Sequence, residues 1–247
     1  MKDFGGAGAP IVLLHGLMGR ARAWTGTADW LTGHGRVLGL DSRGHGAAPP
    51  GPFDTDTRVA DVIAVLDEVG PAVLVGHSMG GMTAWQVAGR RPDLVRGIVI
   101  IDMSALGKGR TAGWRAYFDT WPESFASRAE VEAFFGREHA GQGRFFADIM
   151  DETPDGRFVP HFDPSRLLEL VDSWQRDMRA ELDAVKCPAV VVRGELSKSS
   201  REELVAMGER LPAGSFAEVA GAGHVVHYDR PEGFRAAVEP FVAALAH

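Results

Sequence analysis

Val73-Leu74-Val75-Gly76-His77-Ser78-Met79-Gly80-Gly81-Met82 is the stretch that decides how the rest of the chain folds. An apolar, β-branched run ends at Gly76, and a helical pattern begins right after Ser78. The pentapeptide Gly76-His77-Ser78-Met79-Gly80, a G-x-S-x-G pattern, therefore falls on a strand-to-helix turn. A serine on so tight a turn takes a strained backbone. Gly76 and Gly80 have no Cβ, so strand and helix can approach each other closely on either side of it. The turn lifts the Ser78 hydroxyl out at the carboxyl edge of the sheet, where sites form in α/β proteins. Free N–H groups of the helix N-terminus face any negative charge that develops there. A plain glycine-rich turn with an ordinary serine would use the same five residues, so the context decides.

Outward from the elbow, strands and helices alternate. Ile11-Val12-Leu13-Leu14 is fully apolar, as a strand buried on both faces should be, and ends in His15-Gly16-Leu17-Met18-Gly19. A helical stretch follows over about 21–31, with Trp24, Ala28 and Leu31 on one face. Arg36 to Leu40 is the next strand, ending in Asp41-Ser42-Arg43-Gly44-His45-Gly46. Residues 47–53 form a Pro- and Gly-rich loop, and Asp54 and Thr55 offer caps for a helix carrying Val59, Val62, Ile63 and Leu66. Beyond the elbow helix, Val95 to Ile101 is a further buried strand, ending at Asp102. Alternation resumes with Ala189 to Val192, a helix from about Ser199, a strand near Phe216 to Val219 and a last helix from about Pro231. The βαβα order predicts an α/β fold, a mainly parallel sheet flanked by helices on both faces.

Residues 103–185 break that rhythm. They read mostly helical and are rich in aromatics, so the expected organisation is a core of residues 1–102 and 186–247 with a helical cap, 103–185, inserted after the strand that ends at Asp102. A cap above Ser78 shows apolar surface to the site, because ligand pockets are concave and mostly apolar. Substrate contacts are expected among Trp114, Phe118, Trp121, Phe134, Phe145 and Phe146, with most cap aromatics forming the cap's own core. Lys108, Arg110 and Arg115, early in the cap, read as a solvated face rather than an anion site.

With 247 residues, 45% hydrophobic and 24% charged, the chain has an ordinary globular composition. A net charge of −7 without a basic block argues against a nucleic-acid partner. No apolar run approaches the roughly 20 residues of a membrane span, so no membrane insertion is expected. Met1-Lys2-Asp3-Phe4-Gly5-Gly6 lacks the apolar core of a signal peptide. The single cysteine, Cys187, reads as a buried small residue. A cytoplasmic protein with a small-molecule substrate is the expectation.

His15-Gly16, Asp41 to Gly46, the Ser78 elbow and Gly221-Ala222-Gly223-His224 with Pro231-Glu232 beyond it come in order along nearly the whole chain. Together they resemble the α/β-hydrolase fold. Gly-His-Ser-Met-Gly-Gly, followed after the next strand by Ile101-Asp102-Met103, is most similar to small bacterial esterases and acyl-thioesterases. Members of that family usually carry two antiparallel strands before the His-Gly strand. Only ten residues precede Ile11, so these strands are expected to be short or absent.

A serine nucleophile needs a base and an orienting acid. His224, late in the chain in a glycine-flanked loop, is the expected base. His227 is its rival and reads as a wall or surface residue. A metal at His224 and His227 is disfavoured, because two histidines without further ligands make a thin site. His77 reads as structural support pointing away from Ser78; His15 and His45 read as loop-holding residues. The oxyanion hole is expected from the backbone N–H groups of Met79 and Leu17, with the side chains of Leu17 and Met18 lining the pocket. For the acid, the loop after the 189–192 strand offers only Glu195, with Lys198 where an aspartate is expected. Asp102, one helix and one strand after Ser78, lies at the same sheet edge, and the resemblance to esterases implies that position. Asp102 is the expected acid and Glu195 the alternative.

The expected activity is that of a cofactor-free serine esterase or thioesterase, cleaving substrates with an apolar moiety through an acyl-enzyme on Ser78, with no metal. Perhydrolysis, C–C bond hydrolysis or a lyase step could use the same site. A non-catalytic ligand-binding homologue is the reading from another class.

Overall fold

Short apolar runs pair through their backbones into one sheet. In the computed structural model, which describes residues 1–49, 51–106, 111–174 and 176–245, the order begins with β1 (Lys2–Gly5), β2 (Pro10–Leu14), α1 (Thr25–Leu31), β3 (Arg36–Leu40), α2 (Thr55–Val69), β4 (Ala72–His77), α3 (Met79–Arg90) and β5 (Val95–Ile101). Then come α4 (Thr111–Phe118), α5 (Arg128–Phe135), α6 (Ala140–Ile149), β6 (Asp151–Glu152), β7 (Phe158–Val159), α7 (Pro164–Asp172) and α8 (Arg179–Leu182). The chain closes with β8 (Ala189–Gly194), α9 (Arg201–Arg210), β9 (Gly214–Val219), α10 (Val226–Asp229) and α11 (Pro231–Leu245). A 3₁₀ turn, Ala21–Trp24, leads into α1, so the stretch expected as one helix from 21 to 31 is built in two pieces.

The seven-stranded sheet runs β1-β3-β2-β4-β5-β8-β9. All neighbours are parallel except β1, which pairs antiparallel with β3. The N-terminal antiparallel strand is therefore present but only four residues long. Side chains along each strand alternate between two cores. Val12, Leu14, Leu74, Ile98, Ile100 and Val191 face the layer that holds α2, α3 and α9. Ile11, Leu13, Val73, Val75, Val99, Ile101 and Val192 face the layer of α1 and α11. Burial on both faces is why these strands read as unbroken apolar runs.

Between β5 and β8, the described residues add no strand to the main sheet. They form helices and the small β6–β7 hairpin, which the sequence did not announce. The aromatics here pack mostly on one another: Phe135 stacks on Phe146 at 3.9 Å, and Trp121 meets Phe135 edge-on at 4.7 Å. Phe145 lies against Tyr228 of α10 at 5.5 Å, and the Tyr228 hydroxyl donates to Asp148 (2.9 Å). Gly141 of α6 lets the two helices touch, since a Cβ there would sit 2.2 Å from Asp229 Oδ1. The segment is thus fastened beside the loop that carries His224. Among the described residues no helix is long and apolar enough to cross a membrane.

Candidate active site

Ser78 lies between β4 and α3 with φ 49° and ψ −116°, a left-handed conformation that costs a non-glycine residue roughly 1–3 kcal/mol. Close packing holds it there. A Cβ on Gly76 would meet Gly80 O at 2.3 Å, and one on Gly80 would meet Leu14 O at 2.0 Å. The Ser78 N–H donates to Ile101 O (2.8 Å), extending the β4–β5 ladder by one rung. On the other side of β5, the Asp102 N–H donates to Val192 O of β8 (2.8 Å), which brings Asp102 to the same carboxyl edge. Ser78 is half-buried, and the His224 side chain is 45% exposed, so the edge is open to solvent.

His224 Nδ1 meets Asp102 Oδ2 at 2.6 Å. Asp102 is buried, with φ 51°. Its Oδ2 also accepts from Ser197 Oγ (2.5 Å) and Ser199 Oγ (3.2 Å), whereas Oδ1 has no partner. Glu195 lies elsewhere: its Oε2 accepts from the Gly221 N–H (2.8 Å) and so caps the loop that leads to His224. Of the two carboxylates weighed from sequence, the structure brings Asp102 and not Glu195 to the imidazole. Lys198 is exposed and pairs with Glu138 (3.3 Å). Sequence reasoning missed the organiser of this loop. Arg193, buried at the end of β8, donates to the carbonyls of Glu195 (3.0 Å), Ser197 (2.8 Å) and Ser199 (3.0 Å) and to Glu218 (2.9 Å). It shapes the turn that delivers two serine hydroxyls to Asp102.

His77 points away from solvent and donates from Nε2 to the His224 carbonyl (2.9 Å). Burial, with His224 and His227 nearby, holds its pKa well below the ordinary histidine value. His227, expected as a wall or surface residue, is buried instead. It stacks on Trp24 at 4.4 Å, and burial lowers its pKa to about 3. Flat stacking under α10 left no solvent side for it. Among the described residues no group of three or more His, Cys, Asp or Glu side chains is placed to hold a metal ion. Cys187 is free and buried, which pushes its thiol up to about 11.

The loop after β2 lies against Ser78. A Cβ on Gly16 would fall 2.7 Å from His77 Nδ1 and 3.2 Å from Ser78 Cβ, so only glycine lets the loop come this close. Gly19 N–H donates to Gly16 O (2.9 Å), closing a turn with Leu17 and Met18 in its middle. Met18 N–H donates to His45 Nε2 (3.1 Å), and Ser42 N–H to His15 Nε2 (2.9 Å). Each ring must then carry its proton on Nδ1, a tautomer assigned from the network, and donate to Arg43 O (3.0 Å) and Gly16 O (2.8 Å) respectively. Burial lowers both pKa values and keeps the rings neutral. Asp41 anchors the same loops by accepting from Ala21 N–H (2.6 Å) and Ala47 N–H (2.9 Å).

Of the expected substrate contacts, Phe145 and Phe146 are buried in the packing of the helices between β5 and β8, and Phe118 is 8% exposed against Phe162 and Trp121. Trp114, Trp121 and Phe134 are half-buried, and Met18 is buried in the loop beside Ser78. Arg115 is exposed; Lys108 and Arg110 lie outside the described residues.

An acid-paired imidazole and a strained serine on one edge of a doubly covered parallel sheet define a hydrolase-type site. Residues 11–237 match the model of the alpha/beta hydrolase family, and the chain belongs to it. The sn-1-specific diacylglycerol lipase ABHD11 of Mus musculus is 31% identical over 250 residues, covering 94% of this chain and 80% of that protein. Esterase YbfF of Escherichia coli is 25% identical over 246 residues, covering 95% and 93%. The crystal structure of E-2-(acetamidomethylene)succinate hydrolase superposes with a TM-score of 0.83 at 25% identity, covering 97% of this chain and 93% of that one.

Proposed function

We propose that the protein is a serine hydrolase that cleaves a carboxylic ester or thioester with an apolar moiety. The observation that carries this reading is the 2.6 Å contact between His224 Nδ1 and Asp102 at the sheet edge where Ser78 is held in its left-handed turn. With Nδ1–H donating to the Asp102 carboxylate, His224 Nε2 carries the lone pair and serves as the base. Ser78 Oγ attacks the substrate carbonyl as His224 takes its proton. The N–H groups of Met79, at the start of α3, and of Leu17 receive the oxyanion. His224 returns the proton to the leaving alkoxide or thiolate, and water then releases the acid from the acyl-enzyme. The matched lipase and esterase support ester chemistry; the three relatives' names share no substrate. The aromatic character of residues 103–185, where Trp114, Trp121 and Phe134 keep part of their ring surface exposed, goes with an apolar acyl or alcohol part. No cofactor or metal takes part, and no nucleic acid is a partner. A lone free cysteine suits a reducing, cytoplasmic setting.

A panel of p-nitrophenyl esters and acyl-CoA thioesters graded by chain length tests this. Turnover should favour medium-length or aromatic acyl groups over acetyl. The absence of turnover and of any product burst across both panels would replace the reading with that of a ligand-binding homologue.

A further inference from the structure

The turn Gly16–Gly19 is held by a third imidazole that no sequence pattern marked, and this one comes from the inserted segment. His161 Nε2 meets the Met18 carbonyl at 2.9 Å, and its Nδ1 accepts from the Gly46 N–H at 2.9 Å. Only the neutral ring with its proton on Nε2 makes both bonds. Met18 itself has φ 67°, a left-handed conformation that costs a side chain-bearing residue roughly 1–2 kcal/mol. It is gripped from both ends, its N–H by His45 and its carbonyl by His161. Gly46, on the far side of the ring, also has a positive φ, 54°. One ring from residue 161 thus ties two core loops together.

We propose that His161 is a positioning residue for acyl transfer: from the inserted segment it locks the Met18 carbonyl and so aims the neighbouring Leu17 N–H at the oxyanion. This rests on the serine-hydrolase reading above. The physical reason is the geometry of a four-residue turn. The peptide between its two middle residues can flip, and the sign of φ at the second of them changes with it. The His45 bond to the Met18 N–H fixes that peptide in the orientation that needs a positive φ at Met18, and the His161 bond fixes the next one, Met18–Gly19, whose N–H donates to Gly16 O, the carbonyl of the peptide that carries the Leu17 N–H. Without the His161 bond, the Met18 carbonyl turns to water and carries the Gly19 N–H of the same peptide away from Gly16 O. Leu17 then swings, while Ser78, His224 and Asp102 stay where they are. Docking of the inserted segment and completion of the site become one event.

Two substitutions separate this from a simple anchoring role. His161→Gln places an amide N–H near the Nε2 position and can keep the bond to Met18 O. His161→Asn places an oxygen near Nδ1 and can keep only the bond from Gly46. A strut that merely fastens the segment would lose comparable stability in both variants, with kcat unmoved. Positioning predicts a split. With p-nitrophenyl butyrate, His161→Asn should lose about 10- to 100-fold in kcat with KM nearly unchanged, the cost of misplacing one donor. His161→Gln should stay within about threefold of wild type, as expected of a retained donor. The Ki of a trifluoromethyl ketone, which places an oxyanion on the enzyme, should rise in parallel with the loss in kcat. Thermal unfolding of both variants is measured alongside. Equal kcat in the two variants, or a loss in KM alone, would overturn the proposal. A wild-type enzyme without Ser78-dependent turnover would instead overturn the reading on which it rests.

Discussion

Replacing Asp102 by asparagine tests the acid assignment where the structure is most specific. Asp102 Oδ2 takes His224 Nδ1, Ser197 Oγ and Ser199 Oγ, while Oδ1 has no partner. An asparagine has one oxygen to offer. If that oxygen takes the Oδ2 place, all three bonds survive and a buried NH₂ is left without an acceptor; what is lost is the charge that stabilises the imidazolium. If the NH₂ takes that place instead, His224 must move its proton to Nε2 and is no longer a base toward Ser78. The two serine hydroxyls, held as donors by the carboxylate, favour the first arrangement. The wrong-tautomer outcome drops kcat by about 10⁴ in the worked serine-protease case, so a loss of about 10²–10⁴ is expected, roughly 3–5.5 kcal/mol of transition-state stabilisation. Glu195→Gln keeps an oxygen for the Gly221 N–H, and its kcat should change by no more than about twofold, as for an ordinary surface change. The assay is kcat and KM on p-nitrophenyl butyrate, with thermal unfolding as the control for folding. An Asp102→Asn enzyme within tenfold of wild type, or a Glu195→Gln enzyme as impaired as Asp102→Asn, would refute the reasoning.

Three further expectations concern the scaffold and the metal-free mechanism. Gly80→Ala puts a Cβ 2.0 Å from the Leu14 carbonyl, a backbone atom that cannot move aside; a loss above about 3 kcal/mol is expected, and an unchanged urea midpoint would contradict it. His161 has its pKa lowered by burial from 6.5 to about 4, so the folded ring stays neutral while the unfolded one takes a proton as pH falls. Stability from this group is complete above pH 6.5 and lost progressively toward pH 4, at most about 3 kcal/mol; the decline should be shallower in His161→Gln, and identical slopes would count against it. EDTA should leave turnover unchanged, and activity lost to the chelator but restored by zinc would end the metal-free mechanism.

The parallel core was legible because its strands are buried on both faces and because a helix such as α2 begins at a capping aspartate, Asp54, and stops at Gly70. The elbow was legible because two glycines at fixed spacing are what close strand–helix contact demands. Asp102 was singled out by its place at the end of the strand after the elbow helix together with the resemblance to esterases, and His224 by its glycine-flanked loop late in the chain; the structure brings the two side chains to 2.6 Å. What stayed hidden depends on contacts that exist only once the chain has folded. Arg193 reads as the end of an apolar strand, and its grip on three carbonyls exists only once the 195–199 loop folds around it. Ser199 reads only as the start of a helix and Ser197 carries no signal of its own, yet both hydroxyls bind the carboxylate supplied by another strand. His161 lies 143 residues from Met18 and carries no periodic signal. His227 was misplaced because a helix as short as α10 has no periodicity to show which side faces inward, and its ring stacks on Trp24, about 200 residues earlier in the chain.

The central claim is that Ser78 becomes acylated, and intact-mass spectrometry after rapid acid quench of a reaction with an activated ester tests it directly. The account predicts one acyl adduct per chain, mapped by peptide digestion to Ser78, formed at the burst rate and absent from Ser78→Ala. Steady turnover by Ser78→Ala at a rate near wild type, or an adduct mapped to another residue, would contradict it.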